Sequence, residues 1–188
     1  MYPQRKSAPN LFLVGFMGTG KSALGRMLAN RWHRPFLDTD HMIEQRIKMP
    51  IREYFEKHSE AAFRALEKEC IEQWIPPGGT VISCGGGLVI PEGMVDLLKS
   101  RGVVVCLFAS PETILRRTRH SNHRPLLKSD NPEARIKELL EKREPIYMRS
   151  GTGILTDGRN LLDLASAVER IYHREARGYA AQKATKEG

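Results

Sequence analysis

The sequence predicts an α/β fold, a largely parallel sheet with helices on both faces. Three observations carry this. Short apolar runs alternate with longer amphipathic segments along the chain. A glycine-rich turn leaves the first run and opens the first amphipathic segment. The residues with unusual chemistry fall just after the runs, at the strand ends where ligands gather in such sheets. At 188 residues, 40% apolar and 28% charged, the chain suffices for one domain and is neither disordered nor fibrous.

Leu11–Val14 reads as a buried strand, and Lys21–Trp32 as a helix with Leu24, Leu28 and Ala29 on one face. Pro35–Asp38 is a second strand. Asp40–Lys48 and Ile51–Lys57 are short helices parted by Pro50. Ser59–Trp74 is a longer helix, capped by Ser59, with Ala62, Phe63, Leu66, Cys70 and Ile71 as its apolar stripe. Pro76–Gly79 breaks the chain before a third strand, Thr80–Ser83, which runs into Gly85-Gly86-Gly87. A helix over 91–100 precedes the clearest strand, Val103–Phe108. Pro111 starts a helix reaching Arg119. The segment 120–131 is polar, basic and aperiodic, hence a loop. Pro132–Met148 is helical except at Pro145, Gly153–Thr156 is a last strand and Leu161–Arg174 a last helix. A polar, frayed tail is expected after residue 175.

Lys and Arg total 30 against 22 Asp and Glu, a net charge of +8, which favours anionic partners. The three cysteines are widely spaced and form no CxxC pair, so a reduced cytoplasmic protein is expected. The six histidines make no HExxH or comparable metal motif. No apolar run approaches the roughly 20 residues of a membrane helix, and Leu11–Val14 is too short for a signal-peptide core.

Gly15-Phe-Met-Gly-Thr-Gly-Lys-Ser22 matches GxxxxGK[ST] in the required setting, after a strand and before a helix. Such a loop wraps backbone N–H groups around phosphates at a helix N-terminus. Lys21 can reach the β- and γ-phosphates and Ser22 can ligate Mg²⁺. This motif indicates a nucleoside triphosphate and leaves the phosphate acceptor open.

Other residues bear on the acceptor. Asp38 and Asp40 are two apart at a strand end and point the same way if the chain stays extended. One suits Mg²⁺ through water and the other an acceptor hydroxyl, although Asp40 also reads as a helix cap. Arg64 and Glu67, spaced i, i+3, are either a surface pair or a fork preorganised for a carboxylate. Gly85, Gly86 and Gly87 form either a flexible turn or a close backbone approach to a ligand. The basic loop holding Arg124 is either a solvated surface or a lid that closes over the triphosphate. Arg143, beside Pro145, is either a second carboxylate clamp or a charge at a helix C-terminus.

In order and spacing these motifs resemble shikimate kinase. The P-loop, Asp38-Thr-Asp40, Phe63-Arg64 with Glu67, Gly85-Gly86-Gly87, Arg124-Pro-Leu-Leu127 and Arg143-Glu-Pro-Ile-Tyr147 together span most of residues 10–174. The resemblance implies a fold like that of nucleoside monophosphate kinases, with a five-stranded parallel sheet in the order 2-3-1-4-5. It implies one domain over 1–175, an acceptor-binding region near 38–66, a lid near 120–131 and a separate tail over 176–188. The activity implied is ATP plus shikimate giving ADP plus 3-phosphoshikimate, with Mg²⁺, on the way to chorismate and the aromatic amino acids. The match gives Lys21, Asp40 and Arg124 catalytic roles. It assigns Gly18, Thr19, Gly20, Lys21, Ser22, Ala23, Arg117, Arg124 and Arg159 to the nucleotide. Asp40, Arg64, Gly85, Gly86, Gly87 and Arg143 fall to shikimate, and Ser22 and Asp38 to the metal. Ala23 stands where the family usually has Thr, and Ser59 where it often has Gly.

Two other functions fit parts of the chain. A gluconate kinase would share the P-loop but would not need Arg64 and Arg143 in these contexts. A nucleotide-dependent regulatory protein drawn to nucleic acid would need a basic-aromatic platform, which the sequence lacks. The partners expected are therefore shikimate and ATP, without nucleic acid or membrane, and the chain is expected to act as a monomer.

Overall fold

The computed structural model describes residues 8–119 and 131–187. In chain order the elements are β1 (Asn10–Val14), α1 (Lys21–Arg31), β2 (Phe36–Asp38), α2 (Thr39–Ile47), α3 (Ile51–Lys57) and α4 (Glu60–Glu69). They continue with β3 (Val81–Ser83), α5 (Met94–Arg101), β4 (Gly102–Phe108), α6 (Pro111–Thr118), α7 (Pro132–Ser150), β5 (Thr152–Leu155) and α8 (Leu161–Glu187). All strand pairs are parallel and the sheet runs β2-β3-β1-β4-β5, as the resemblance implied.

The apolar strands are buried on both faces, which is why they read as continuous runs rather than alternating ones. Leu11, Leu13, Val81, Val103, Val105 and Leu107 face α1 and α8, meeting Leu24, Leu28, Ala165 and Val168. Phe12, Val14, Ile82, Val104 and Cys106 face the other way, into a core with Ile43, Phe63, Leu98, Ile114, Ile136 and Tyr147. Register aligns the strand ends: Asp38 lies opposite Ser83, and Ser83 opposite Leu13. The residues that leave the sheet there form the site.

Four expectations change. The long helix does not stay α-helical to Trp74, because Cys70–Trp74 forms a π-helical turn in which the Ile75 N–H donates to the Cys70 carbonyl at 3.2 Å. The helix predicted from residue 91 begins only at Met94, after Gly93 at φ +78°. α7 runs through Pro145 without a break. Pro145 and Glu141 both lie on its exposed side, where water can satisfy the carbonyl that a proline leaves unpaired. The expected tail is helical to Glu187. The apolar stripe ends near Tyr172, but Ala176, Ala180 and Ala181 keep helix propensity high. The Tyr179 hydroxyl also donates to the Ser100 carbonyl at 2.9 Å, docking that stretch on the end of α5.

Among the described residues no helix is long and apolar enough to cross a membrane.

Candidate active site

The turn between β1 and α1 forms the phosphate side. Gly20 occupies the N-cap of α1 at φ +99°, a left-handed conformation that favours glycine. No side chain caps α1, and no acid lies in its first turn. By contrast Ser59, Ser110 and Asn131 cap α4, α6 and α7. An uncapped N-terminus beside a glycine-rich turn presents free N–H groups and partial positive charge to an anion. The buried Lys21 ammonium donates to the Gly15 and Phe16 carbonyls at 2.8 and 2.9 Å. The Thr19 hydroxyl donates to the Phe16 carbonyl at 2.8 Å and stiffens the turn.

Arg117, from α6, reaches the loop from the β4–β5 side. It donates to the Gly18 carbonyl at 3.2 Å and is held by the Thr156 hydroxyl and carbonyl at 3.0 and 3.3 Å. Arg159 stays apart, exposed and turned onto the Asp163 carbonyl at 3.4 Å. Ala23 is exposed in the first turn of α1. Arg124 lies outside the described residues.

Asp38 ends β2 and stands at the N-cap of α2, yet its carboxylate makes no capping bond. It accepts instead from the Ser22 hydroxyl at 2.8 Å. The Ser83 hydroxyl lies 3.1 Å from that of Ser22. An Asp and a Ser from two strand ends, with a Ser from the first turn of α1, are oxygen donors, the kind a hard cation takes. The described residues hold no group of three or more His, Cys, Asp or Glu able to bind a metal. Mg²⁺ does not need one, since it combines one or two protein oxygens with phosphate oxygens and water.

The acceptor side is built from side chains. Asp40, in the first turn of α2, lies against Gly85, where a Cβ would collide with its Oδ1. Burial, with the charge of Asp38, raises its carboxyl to about 6, while Lys21 pulls the other way. Arg64, on α4, lies against Gly87, where a Cβ would meet its Nη1 at 2.7 Å. The glycines thus make room for Asp40 and Arg64 as much as for a ligand. Arg64 donates to Glu67 at 2.6 Å and Glu60 at 2.7 Å. Burial works against its charge, but the two carboxylates outweigh burial and raise its pKa above the usual arginine value. Burial pushes the Glu67 carboxyl up to about 7, with Arg64 drawing it back.

Arg143 projects from α7 over the Phe16 ring, 5.8 Å from its centroid, one turn before Tyr147. The buried Tyr147 hydroxyl donates to the Gly86 carbonyl at 2.6 Å. The structure therefore joins Asp40, Arg64, the glycines and Arg143 around one loop, beside Lys21 and Ser22. Sequence reasoning missed the contacts of Thr39, Ser83, Thr156 and Glu60. Only Ser83 left a trace, as the polar end of an apolar strand. The three thiols are buried, and burial holds each above its ordinary pKa, so none is a nucleophile near neutral pH.

A model of the family described as shikimate kinase matches residues 17–180. A shikimate kinase of Thermodesulfovibrio yellowstonii is 40% identical over 90% of this chain and 98% of its own. One of Thermus thermophilus is 43% identical over 88% of this chain and 92% of its own. The structure of an Acinetobacter baumannii shikimate kinase in complex with shikimate superposes with a TM-score of 0.84 and 36% identity, over 90% of this chain and 96% of that one. A gluconokinase from Sinorhizobium meliloti reaches a TM-score of 0.63 at 16% identity, a likeness of fold alone.

Proposed function

This chain belongs to the shikimate kinase family and catalyses the Mg-ATP-dependent phosphorylation of shikimate to 3-phosphoshikimate, and we propose that the residues described above divide that reaction between two sides of one site. The observation that carries the proposal is the meeting of Asp40 and Arg64 on the Gly85–Gly87 loop, beside the phosphate loop. An anionic, hydroxylated acceptor needs both kinds of group, a carboxylate for hydroxyls and a guanidinium for a carboxylate.

On the phosphate side, the turn through Gly18, Thr19 and Gly20 holds the triphosphate. Lys21 leaves its two carbonyls to neutralise charge building on the transferred group. Arg117, fixed by Thr156, flanks the nucleotide, and Arg124 supplies a second positive charge to it. Arg159 and Ala23 are outer contacts at most, since one faces Asp163 and the other carries only a methyl. Ser22 and Asp38 would hold Mg²⁺, which when bound screens the phosphate charge.

On the acceptor side, Arg64 and Arg143 receive the shikimate carboxylate. Asp40 orients the 3-hydroxyl toward the γ-phosphate and accepts its proton as the new P–O bond forms and the bond from the γ-phosphorus to the β–γ bridging oxygen breaks, releasing ADP. A loose phosphoryl-transfer transition state asks mainly for positioning and charge stabilisation, which these groups supply. All of them come from one chain, so a single copy suffices for the reaction, and its three free thiols suit the reducing cytoplasm. A coupled ADP-release assay tests the assignment. Shikimate should drive ADP release and gluconate should not. Equal release with both would reopen the acceptor side.

A further inference from the structure

We propose that Thr39 is a positioning residue for phosphoryl transfer, its hydroxyl fixing Gly85 so that Asp40 meets the acceptor. Thr39 lies between the two acids at the start of α2 and is fully buried. Its Oγ1 accepts a hydrogen bond from the Gly85 N–H at 2.8 Å. A buried threonine at a helix start ordinarily caps its own helix. This one is spent on a backbone amide 46 residues away.

The glycine loop is tied at several points. The Gly85 carbonyl accepts from the Leu88 N–H at 3.1 Å, the Gly87 carbonyl from the Ile90 N–H at 3.0 Å, and the Gly86 carbonyl from Tyr147. Those bonds fix the loop to itself and to α7. The Thr39 bond fixes it to the element that carries Asp40. Gly85 therefore meets the first turn of α2 twice, through its N–H at Thr39 and through the packing of Asp40 against its Cα. Without the hydroxyl, a buried N–H loses its acceptor, and the loop must move to find another. Asp40 would move with it. A misplacement near 1 Å between reacting groups can cost about a hundredfold in rate.

The inference rests on Asp40 being the group that meets the acceptor hydroxyl, and the experiment separates the two claims. Thr39→Val keeps the shape and removes the acceptor, whereas Thr39→Ser keeps the acceptor and removes a methyl. Thr39→Val should lower kcat roughly 10- to 100-fold, with the KM for ATP within about twofold. Thr39→Ser should restore most of kcat. Full activity in Thr39→Val overturns the inference. Equal damage in both variants also overturns it, because packing would then be the cause. Asp40→Asn is the third arm. If it stays active, the reading of Asp40 fails. If it is inactive while Thr39→Val is not, only the inference fails. Amide exchange on the unliganded wild type needs no variant to fold. The Gly85 amide should be strongly protected, and exchange as fast as in an open loop would refute the bond.

Discussion

The phosphate side and the acceptor side of the site are built in opposite ways. Eight consecutive residues, Gly15–Ser22, make the phosphate loop, and most of its donors are backbone groups at an uncapped helix start. The acceptor side draws Asp40 from α2, Arg64 from α4, Arg143 from α7 and three glycines from the end of β3. The phosphate side holds a buried cation on two carbonyls, ready for an anion. The acceptor side holds buried carboxyls whose pKa values are raised by burial. A motif of local sequence can therefore build the first, whereas only tertiary structure can build the second. Perturbing the phosphate loop should accordingly show mainly in turnover, whereas removing the acceptor side's buried ion pair should show in shikimate affinity and stability.

Removing Arg64 should have the largest effect. Arg64→Ala takes away the carboxylate fork and leaves Glu67, with 2% of its side chain exposed, without its partner. Truncating one member of such a pair costs about 2–5 kcal/mol. That is a fall of roughly 30-fold to several thousand-fold in shikimate kcat/KM. Calorimetry should show ATP binding nearly unchanged. Arg64→Lys should recover little, since an ammonium offers no fork. Unchanged shikimate binding would remove the carboxylate clamp and with it the contrast between the two sides.

Lys21→Met comes next and probes the other side. Losing one preorganised donor typically costs about 10²–10³-fold in kcat. The affinity for shikimate should stay within a small factor, because Arg64 and Asp40 do not depend on Lys21 for their place. A variant with normal turnover would contradict the P-loop assignment. A variant with lost shikimate affinity would show that the two sides are coupled.

The same division explains what the sequence disclosed. The sheet was legible because strands buried on both faces, such as Leu11–Val14 and Val103–Phe108, are continuous apolar runs. The P-loop was legible because its chemistry is contiguous. Arg64 and Glu67 could be paired from helical spacing, but the burial of Glu67 against its exposed neighbour Glu60 could not. Thr39, Ser83 and Thr156 act across strand ends on residues distant in sequence, so no local pattern marks them. The helical stretch past Arg174 was missed because its holds on the fold are scattered, Glu175 on Thr152, Ala176 on the core and the Tyr179 hydroxyl on Ser100, rather than an apolar stripe. Pro145 leaves α7 unbroken because it and Glu141 sit on the exposed side, where a proline costs least.

The pH dependence of stability should expose the burden carried by the acceptor side. Asp40 titrates near 3.8 when unperturbed and at about 6 in the fold. Between those values the folded protein holds a proton that the unfolded chain has released. Asp40's contribution is therefore fully present below about pH 4 and is lost as pH rises through about 6. At about 1.4 kcal/mol per pH unit the loss is on the order of 3 kcal/mol. Urea unfolding of the ligand-free enzyme from pH 4 to 8 should show this decline added to that of Glu67, whose carboxyl is raised to about 7, and Asp40→Asn should reduce the slope without abolishing it. The same slope in both proteins would mean that Asp40 ionises freely in the fold.

The smallest effect should come from Glu60, and it sharpens the comparison because the same arginine holds both glutamates. Arg64 meets Glu60 at 2.7 Å and Glu67 at 2.6 Å, so distance does not distinguish them. Exposure does: the Glu60 side chain is 70% exposed and that of Glu67 2%. An exposed i, i+4 pair is screened by water and costs entropy to order, leaving about 0.3–0.5 kcal/mol. Glu60→Gln should therefore shift the unfolding midpoint by little, and shikimate KM by no more than about twofold. Glu67→Gln keeps the shape but leaves the Arg64 charge without its inner counter-ion, so its effect on shikimate binding should be several times larger. Titrating both variants with shikimate at low and at 0.5 M salt completes the test. The Glu60 effect should vanish at high salt and the Glu67 effect should persist, since a buried pair lies beyond the reach of screening ions. Equal effects at both salt concentrations would show that Glu60 is part of the acceptor side rather than its rim.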